Sequence, residues 1–123
     1  MPKLGIPLHA SFPFEPTSDQ YSALQLLDAF LESKNHLQLF LLRGFAGTGK
    51  TSILSHVAKM NNSEGKIVLL APTGRAARVL SSYCGIPAFT IHKKIYRLAE
   101  EGFGDMNFML QKNNFENTLF IVD

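Results

Sequence analysis

The sequence predicts an α/β fold built on a parallel sheet, and two observations carry that expectation. Short, almost wholly apolar runs recur at residues 37–42, 66–71 and 118–122, each bounded by turn-forming residues. Segments whose apolar residues repeat at helical spacing separate these runs. Runs of that kind read as strands buried on both faces, and strands alternating with helices imply parallel pairing.

Composition fits one packed domain. The chain has 123 residues, 46% of them hydrophobic, a profile far from that of a disordered protein. Cys84 is the single cysteine, which excludes an intrachain disulfide and a cysteine-based zinc site. It reads as a packing residue in a reducing compartment. Pro2, Pro7, His9 and Pro13 interrupt any apolar leader, and no run approaches the about 18 residues that a membrane span needs. The expectation is a cytoplasmic protein with no membrane partner; oligomeric state is unreadable.

A net charge of +2 says little, but its distribution says more. No acidic residue lies between Glu64 and Glu100, whereas Lys66, Arg75, Arg78, Lys93, Lys94 and Arg97 all do. Such a window is either a solvated basic surface or an anion-binding face.

Residues 1–16, rich in proline and without a period, are expected to form an extended arm. Thr17 and Gln20 have the spacing of a capping box. Behind them Tyr21, Leu24, Leu27 and Leu31 mark a helix over about 18–34, with Asp28 and Glu32 on its other faces. After the run at 37–42 comes a glycine-rich loop, then a helix through about Met60 striped by Ile53, Leu54, Val57 and Ala58. Residues 61–65 form a loop. The run at 66–71 is stopped by Pro72, and a helix follows over about 74–83. Gly85-Ile-Pro87 breaks the chain before a further helix over 91–100. Residues 101–117 read as a loop or weak hairpin, and 118–122 as the last strand.

The chemistry concentrates in one motif. Gly44-Phe-Ala-Gly-Thr-Gly-Lys-Thr51 matches G-x-x-x-x-G-K-[ST] at every position. Glycines allow such a loop to curl so that successive backbone N–H groups of Gly44, Ala46, Gly47, Thr48 and Gly49 face phosphate oxygens. The helix opening at Lys50 adds unsatisfied N–H groups and the positive end of its dipole. Lys50 is the expected charge for β- and γ-phosphates, and the Thr51 hydroxyl the expected Mg²⁺ ligand. The ligand class is therefore a nucleoside triphosphate, ATP with Mg²⁺. Asp123, directly after an apolar strand, is the candidate second ligand for Mg²⁺, although strands often end in aspartate for no catalytic reason.

The string GFAGTGKT, with APTGRAARVL at 71–80, TIH at 90–92 and LFIVD at 119–123, resembles the opening of a RecD/Dda-like helicase of superfamily 1. That resemblance implies an incomplete, three-layer RecA-like phosphate-loop NTPase domain over 17–123. The implied motor hydrolyses ATP and moves 5′ to 3′ along single-stranded DNA, the implied partner. Lys50 and Asp123 become its catalytic residues. Gln20 matches a glutamine that reads the adenine edge, a role that competes with capping. Pro72, Thr73 and Arg75 match one block that touches the DNA backbone, and Thr90 and His92 match a second; Lys93 and Lys94 beside them supply further donors. A motor that must hold any sequence needs hydroxyls, amides and cations for phosphates and no base readout. Solvated arginines and a buried histidine are the plainer readings of Arg75, Arg78 and His92. Tyr83, Phe89 and Tyr96 are expected in the core ahead of stacking on bases.

The family pattern continues with a glutamate after Asp123, a stabilising arginine and a second RecA-like domain. Without them the 123 residues are expected to be a truncated piece that neither hydrolyses ATP usefully nor unwinds DNA. The phosphate-loop strand would also lack the later strand that separates it from the Asp123 strand. The alternatives are another phosphate-loop ATPase or kinase, or a non-enzymatic nucleic-acid-binding remnant.

Overall fold

The computed structural model describes residues 6–35, 37–61, 67–101 and 105–123. It divides into two compact units, Met1–Lys66 and Ile67–Asp123.

In the first unit the capping box forms as its spacing predicts. The Gln20 N–H donates to Thr17 Oγ1 at 3.2 Å, and the Thr17 N–H donates to Gln20 Oε1 at 3.0 Å. This reciprocal pair starts α2 (Ser18–Glu32), the second helix of the chain. Leu24 and Leu27 are buried as the stripe requires, but Asp28 is buried with them. Both Asp28 carboxylate oxygens accept from the Leu8 N–H, at 3.2 and 3.1 Å. A carboxylate taken out of water needs such a donor, which explains why it turns inward.

Its partner belongs to a segment expected to be extended. Leu8–Ser11 instead makes a single helical turn, α1, which packs on α2 and α3 (Lys50–Asn61). The Ala10 and Ser11 N–H groups bond back to the Pro7 carbonyl at 3.1 and 3.3 Å, and Leu8 and Phe12 are buried. Proline fixes φ without blocking a helix that starts after it, so this arm folds despite its prolines.

The run at 37–42 is not a strand. Leu37 has φ of +55°, and Leu37, Leu39 and Leu41 are all exposed. A strand exists only by pairing, and among the described residues no strand hydrogen-bonds this run. Helix α3 forms as expected, with Ile53, Val57 and Ala58 of its stripe buried, Leu54 half-buried, and Ser55 and His56 buried beside them.

The second unit holds a parallel sheet in the order β2-β1-β5, made of Ala88–Thr90, Ile67–Ala71 and Leu119–Val122. Register runs Leu69 to Ala88 and Ala71 to Thr90 on one side of β1, and Ile67 to Leu119 and Leu70 to Val122 on the other. Val68, Leu69, Leu70 and Ala71 are buried in this central strand, whereas β5 buries Ile121 and leaves Phe120 and Val122 exposed. Helix α4 (Gly74–Cys84) packs on β1 and β2 through Ala77, Leu80 and Cys84, and ends at Gly85 with φ of +72°. That left-handed cap needs no Cβ.

The helix expected over 91–100 stops early. Helix α5 covers Ile91–Ile95 only. At Tyr96 the chain enters β3 (Tyr96–Glu101), which pairs antiparallel with β4 (Asp105–Leu110) from Tyr96–Leu110 to Glu101–Asp105. A hairpin partner a few residues downstream supplies bonds that outweigh a short stretch's helical propensity. The hairpin reading of 101–117 thus holds over its first part. The expected turn residues Gly102 and Gly104, the loop residues 62–65 and Lys66 lie outside the described residues.

Candidate phosphate-binding loop and sheet edge

Glycine shapes the loop from Gly44 to Thr51. Gly47 and Gly49 have φ of +79° and +88°, a region that side chains rarely occupy. A Cβ at Gly44 would lie 2.9 Å from Thr48 Oγ1, and one at Gly49 would overlap Gln20 Nε2. The loop is therefore tight on its protein side and exposed on the other. Thr48 Oγ1 closes it by donating to the Phe45 carbonyl at 2.7 Å. Lys50 Nζ curls back to donate to the carbonyls of Gly44 and, at 3.2 Å, Phe45. An ammonium thus stands at the mouth of a loop whose far side is the start of an α-helix. Both favour an anion.

Gln20 reaches this loop from α2. Its Oε1 is taken by the cap, and its Nε2 donates to the Thr48 carbonyl at 3.2 Å. Capping and loop contact are compatible because the amide has two ends and two N–H bonds.

The residues fit a bound triphosphate: the loop is exposed on the side away from Gln20, two of its glycines hold left-handed conformations, and Lys50 sets an ammonium beside it. Among the described residues no group of three or more His, Cys, Asp or Glu could hold a metal alone. A divalent ion would need phosphate oxygens beside the Thr51 hydroxyl, which is the usual environment of Mg²⁺.

Sequence reasoning missed what braces α3. His56 Nε2 lies 3.0 Å from the Leu8 carbonyl and 3.1 Å from Ser11 Oγ. A carbonyl only accepts, so Nε2 carries the proton. Desolvation pushes the His56 pKa below its ordinary value; Lys59 adds to this, while the Leu8 hydrogen bond and Asp28 oppose it. Leu8 is thus gripped at its N–H by Asp28 and at its C=O by His56. The only signal in the sequence was His56 falling three residues after Ile53, on the buried stripe.

In the second unit the parallel strands bring several expected site residues to one edge. Pro72 and Thr73 follow the carboxyl end of β1, Thr90 ends β2 opposite Ala71, and Asp123 follows β5 with its N–H donating to the Leu70 carbonyl at 3.1 Å. The carboxyl edge of a parallel sheet is where such folds bind ligands. Thr73 and Thr90 play the same local part: Thr73 Oγ1 accepts from the Ala76 N–H at 3.1 Å, and Thr90 Oγ1 from the Lys93 N–H at 3.2 Å. Each hydroxyl keeps its own proton for another acceptor.

Arg75, Arg78, His92 and Lys93 are exposed, so the buried-histidine reading of His92 falls. The His92 ring lies 4.7 Å from that of Tyr96. Tyr83, expected in the core, is 55% exposed, and Phe89 and Tyr96 are half-buried. Among the described residues no helix is long and apolar enough to cross a membrane.

Comparison with known proteins bears on this geometry. Residues 17–123 match the family model described as AAA domain. The chain is 37% identical over 90 residues to the ATP-dependent RecD2 DNA helicase of Deinococcus radiodurans, covering 70% of this chain and 12% of that protein. It is 37% identical over 79 residues to the ATP-dependent DNA helicase dda of Enterobacteria phage T4, covering 62% of this chain and 17% of the relative. An uncharacterized protein, R530 of Acanthamoeba polyphaga mimivirus, is 39% identical over 70 residues, 54% of this chain and 14% of its own length. No solved structure matches the chain significantly. The chain spans less than a fifth of the length of these relatives, and the first two bear out the resemblance to RecD/Dda-like helicases.

Proposed function

This chain belongs to the AAA domain family of phosphate-loop NTPases, and we propose that it is the nucleotide-binding part of a DNA helicase motor that takes ATP and Mg²⁺. The observation that carries the reading is the loop from Gly44 to Thr51. Gly47 and Gly49 hold conformations that other residues avoid, and its lysine stands at the mouth.

In this reading the loop amides and the opening turn of α3 bind the phosphates, and Lys50 leaves the Gly44 and Phe45 carbonyls to meet the β- and γ-oxygens. That exchange is favourable because a charged acceptor replaces neutral ones. Thr51 holds Mg²⁺ through its hydroxyl. Asp123 is a proposed carboxylate ligand of Mg²⁺, on the strength of its place at the end of an apolar parallel strand. The bound ion supplies charge neutralisation as the γ-phosphoryl departs. Gln20 keeps one amide N–H for the adenine edge while its other contacts persist.

Pro72, Thr73, Arg75, Thr90, His92 and Lys93 are the proposed contacts to the backbone of single-stranded DNA. What supports them is their shared sheet edge, two threonine hydroxyls with a proton to donate, and cations in a stretch free of acids. Movement 5′ to 3′ rests on the likeness to RecD/Dda-like helicases alone. A cytoplasmic, reducing setting suits the single buried thiol of Cys84.

The test is a separation of functions. Lys50→Ala should abolish binding of a fluorescent ATP analogue with Mg²⁺ and leave single-stranded DNA binding without nucleotide within about twofold of the parent chain. Retained nucleotide binding would remove the loop assignment.

A further inference from the structure

Beside the sheet edge, Phe89, Lys93, Lys94, Gln111 and Phe115 line an open hollow of about 240 Å³. The Lys94 ammonium lies 4.5 Å from the centroid of the Phe89 ring and 5.1 Å from that of Phe115. Two phenyl rings thus meet one cation, from β2 and from the segment between β4 and β5. Phe115 is 44% exposed and is steadied by an edge-to-face contact with Phe120, at 5.5 Å and 87°. Gln111 is fixed on the rim: its backbone N–H donates to the Ile95 carbonyl at 2.7 Å and its Nε2 to the Tyr96 carbonyl at 2.9 Å.

We propose that this hollow takes one unpaired base of single-stranded DNA, stacked on Phe115 against Phe89, with Lys93 and Lys94 on its flanking phosphate. Ring faces that attract an ammonium also accept a planar base. The hollow is smaller than the about 300–1,000 Å³ pockets that enclose drug-sized ligands, which suits one base and not a whole nucleotide triphosphate. Lys94 gives up its place between the rings for a phosphate oxygen, an exchange of a weak partner for an anionic one. Stacking has no sequence preference, as a motor requires. The proposal deepens the DNA reading and rests on it, adding a base subsite that the backbone contacts do not include.

Equilibrium binding of the whole chain to a short dT strand and to an abasic strand with the same phosphates tests the idea without any variant. The dT strand should bind roughly tenfold more tightly. Phe115→Ala should bring dT down to the abasic level and leave the abasic strand unchanged, while Phe115→Tyr should keep the preference. Equal binding of both strands by the parent chain would overturn the base subsite and leave the phosphate contacts standing. So would an equal loss on both strands in Phe115→Ala. Binding of neither strand would overturn the DNA reading and the subsite with it.

Discussion

The Gln20 side chain joins two pieces of the first unit: its oxygen caps α2 at Thr17, and its nitrogen holds the Thr48 carbonyl in the phosphate loop. The two ends of one amide can therefore be tested apart. Gln20→Glu keeps the acceptor for the Thr17 N–H and removes the donor to Thr48. It should leave the urea midpoint nearly unchanged while weakening ATP binding. Gln20→Ala loses both and should also cost about 1 kcal/mol of stability, the scale of a lost helix cap. Equal ATP affinity in both variants and the parent would separate Gln20 from the nucleotide.

The grip on Leu8 makes stability depend on pH. Burial holds the His56 pKa below its ordinary value of about 6.5, so between the two values the unfolded chain binds more protons than the folded one. The contribution of neutral His56 is thus complete above about pH 6.5 and is lost as pH falls through the folded value. Denaturant melts between neutral and mildly acid pH should show falling stability. His56→Gln, which keeps a donor for the Leu8 carbonyl, should flatten that fall. An unchanged slope in the variant would assign the acid sensitivity to other groups.

Exposed Arg75 and Lys93 are proposed to meet phosphates and not bases. Replacing either with alanine should weaken binding to every single-stranded sequence alike and lower the slope of log affinity against log salt by about 0.7 per contact. Titrations on dT and mixed-sequence strands at several salt concentrations measure both quantities. Full affinity at low salt would take these residues off the DNA path.

The sequence made legible whatever short-range chemistry decides. The Thr17–Gln20 box, α3 with Ile53 and Val57 inward, β1 stopped by Pro72 and α4 from Gly74 all formed where local pattern placed them. Distant partners decided the rest. Leu37–Leu42 has every mark of a buried strand, but pairing makes a strand, and no described strand bonds to it. Tyr96 begins a hairpin because residues 105–110 return to it, which helical spacing cannot reveal. Asp28 reads as a solvent-facing residue until the Leu8 amide arrives from 20 positions away. At the site, the glycines and Lys50 were readable from spacing alone. The Phe89–Lys94–Phe115 arrangement was not, because it joins β2 and α5 to the segment before β5, which only the fold brings near.

The central claim is that main-chain amides between Gly44 and Thr51 receive the phosphates, and hydrogen–deuterium exchange with and without Mg²⁺ and ATP tests it most directly. Protection should concentrate on the amides of residues 44–51 and the first turn of α3, and should vanish in Lys50→Ala. Protection elsewhere with these amides unchanged, or the same protection in the variant, would contradict the account.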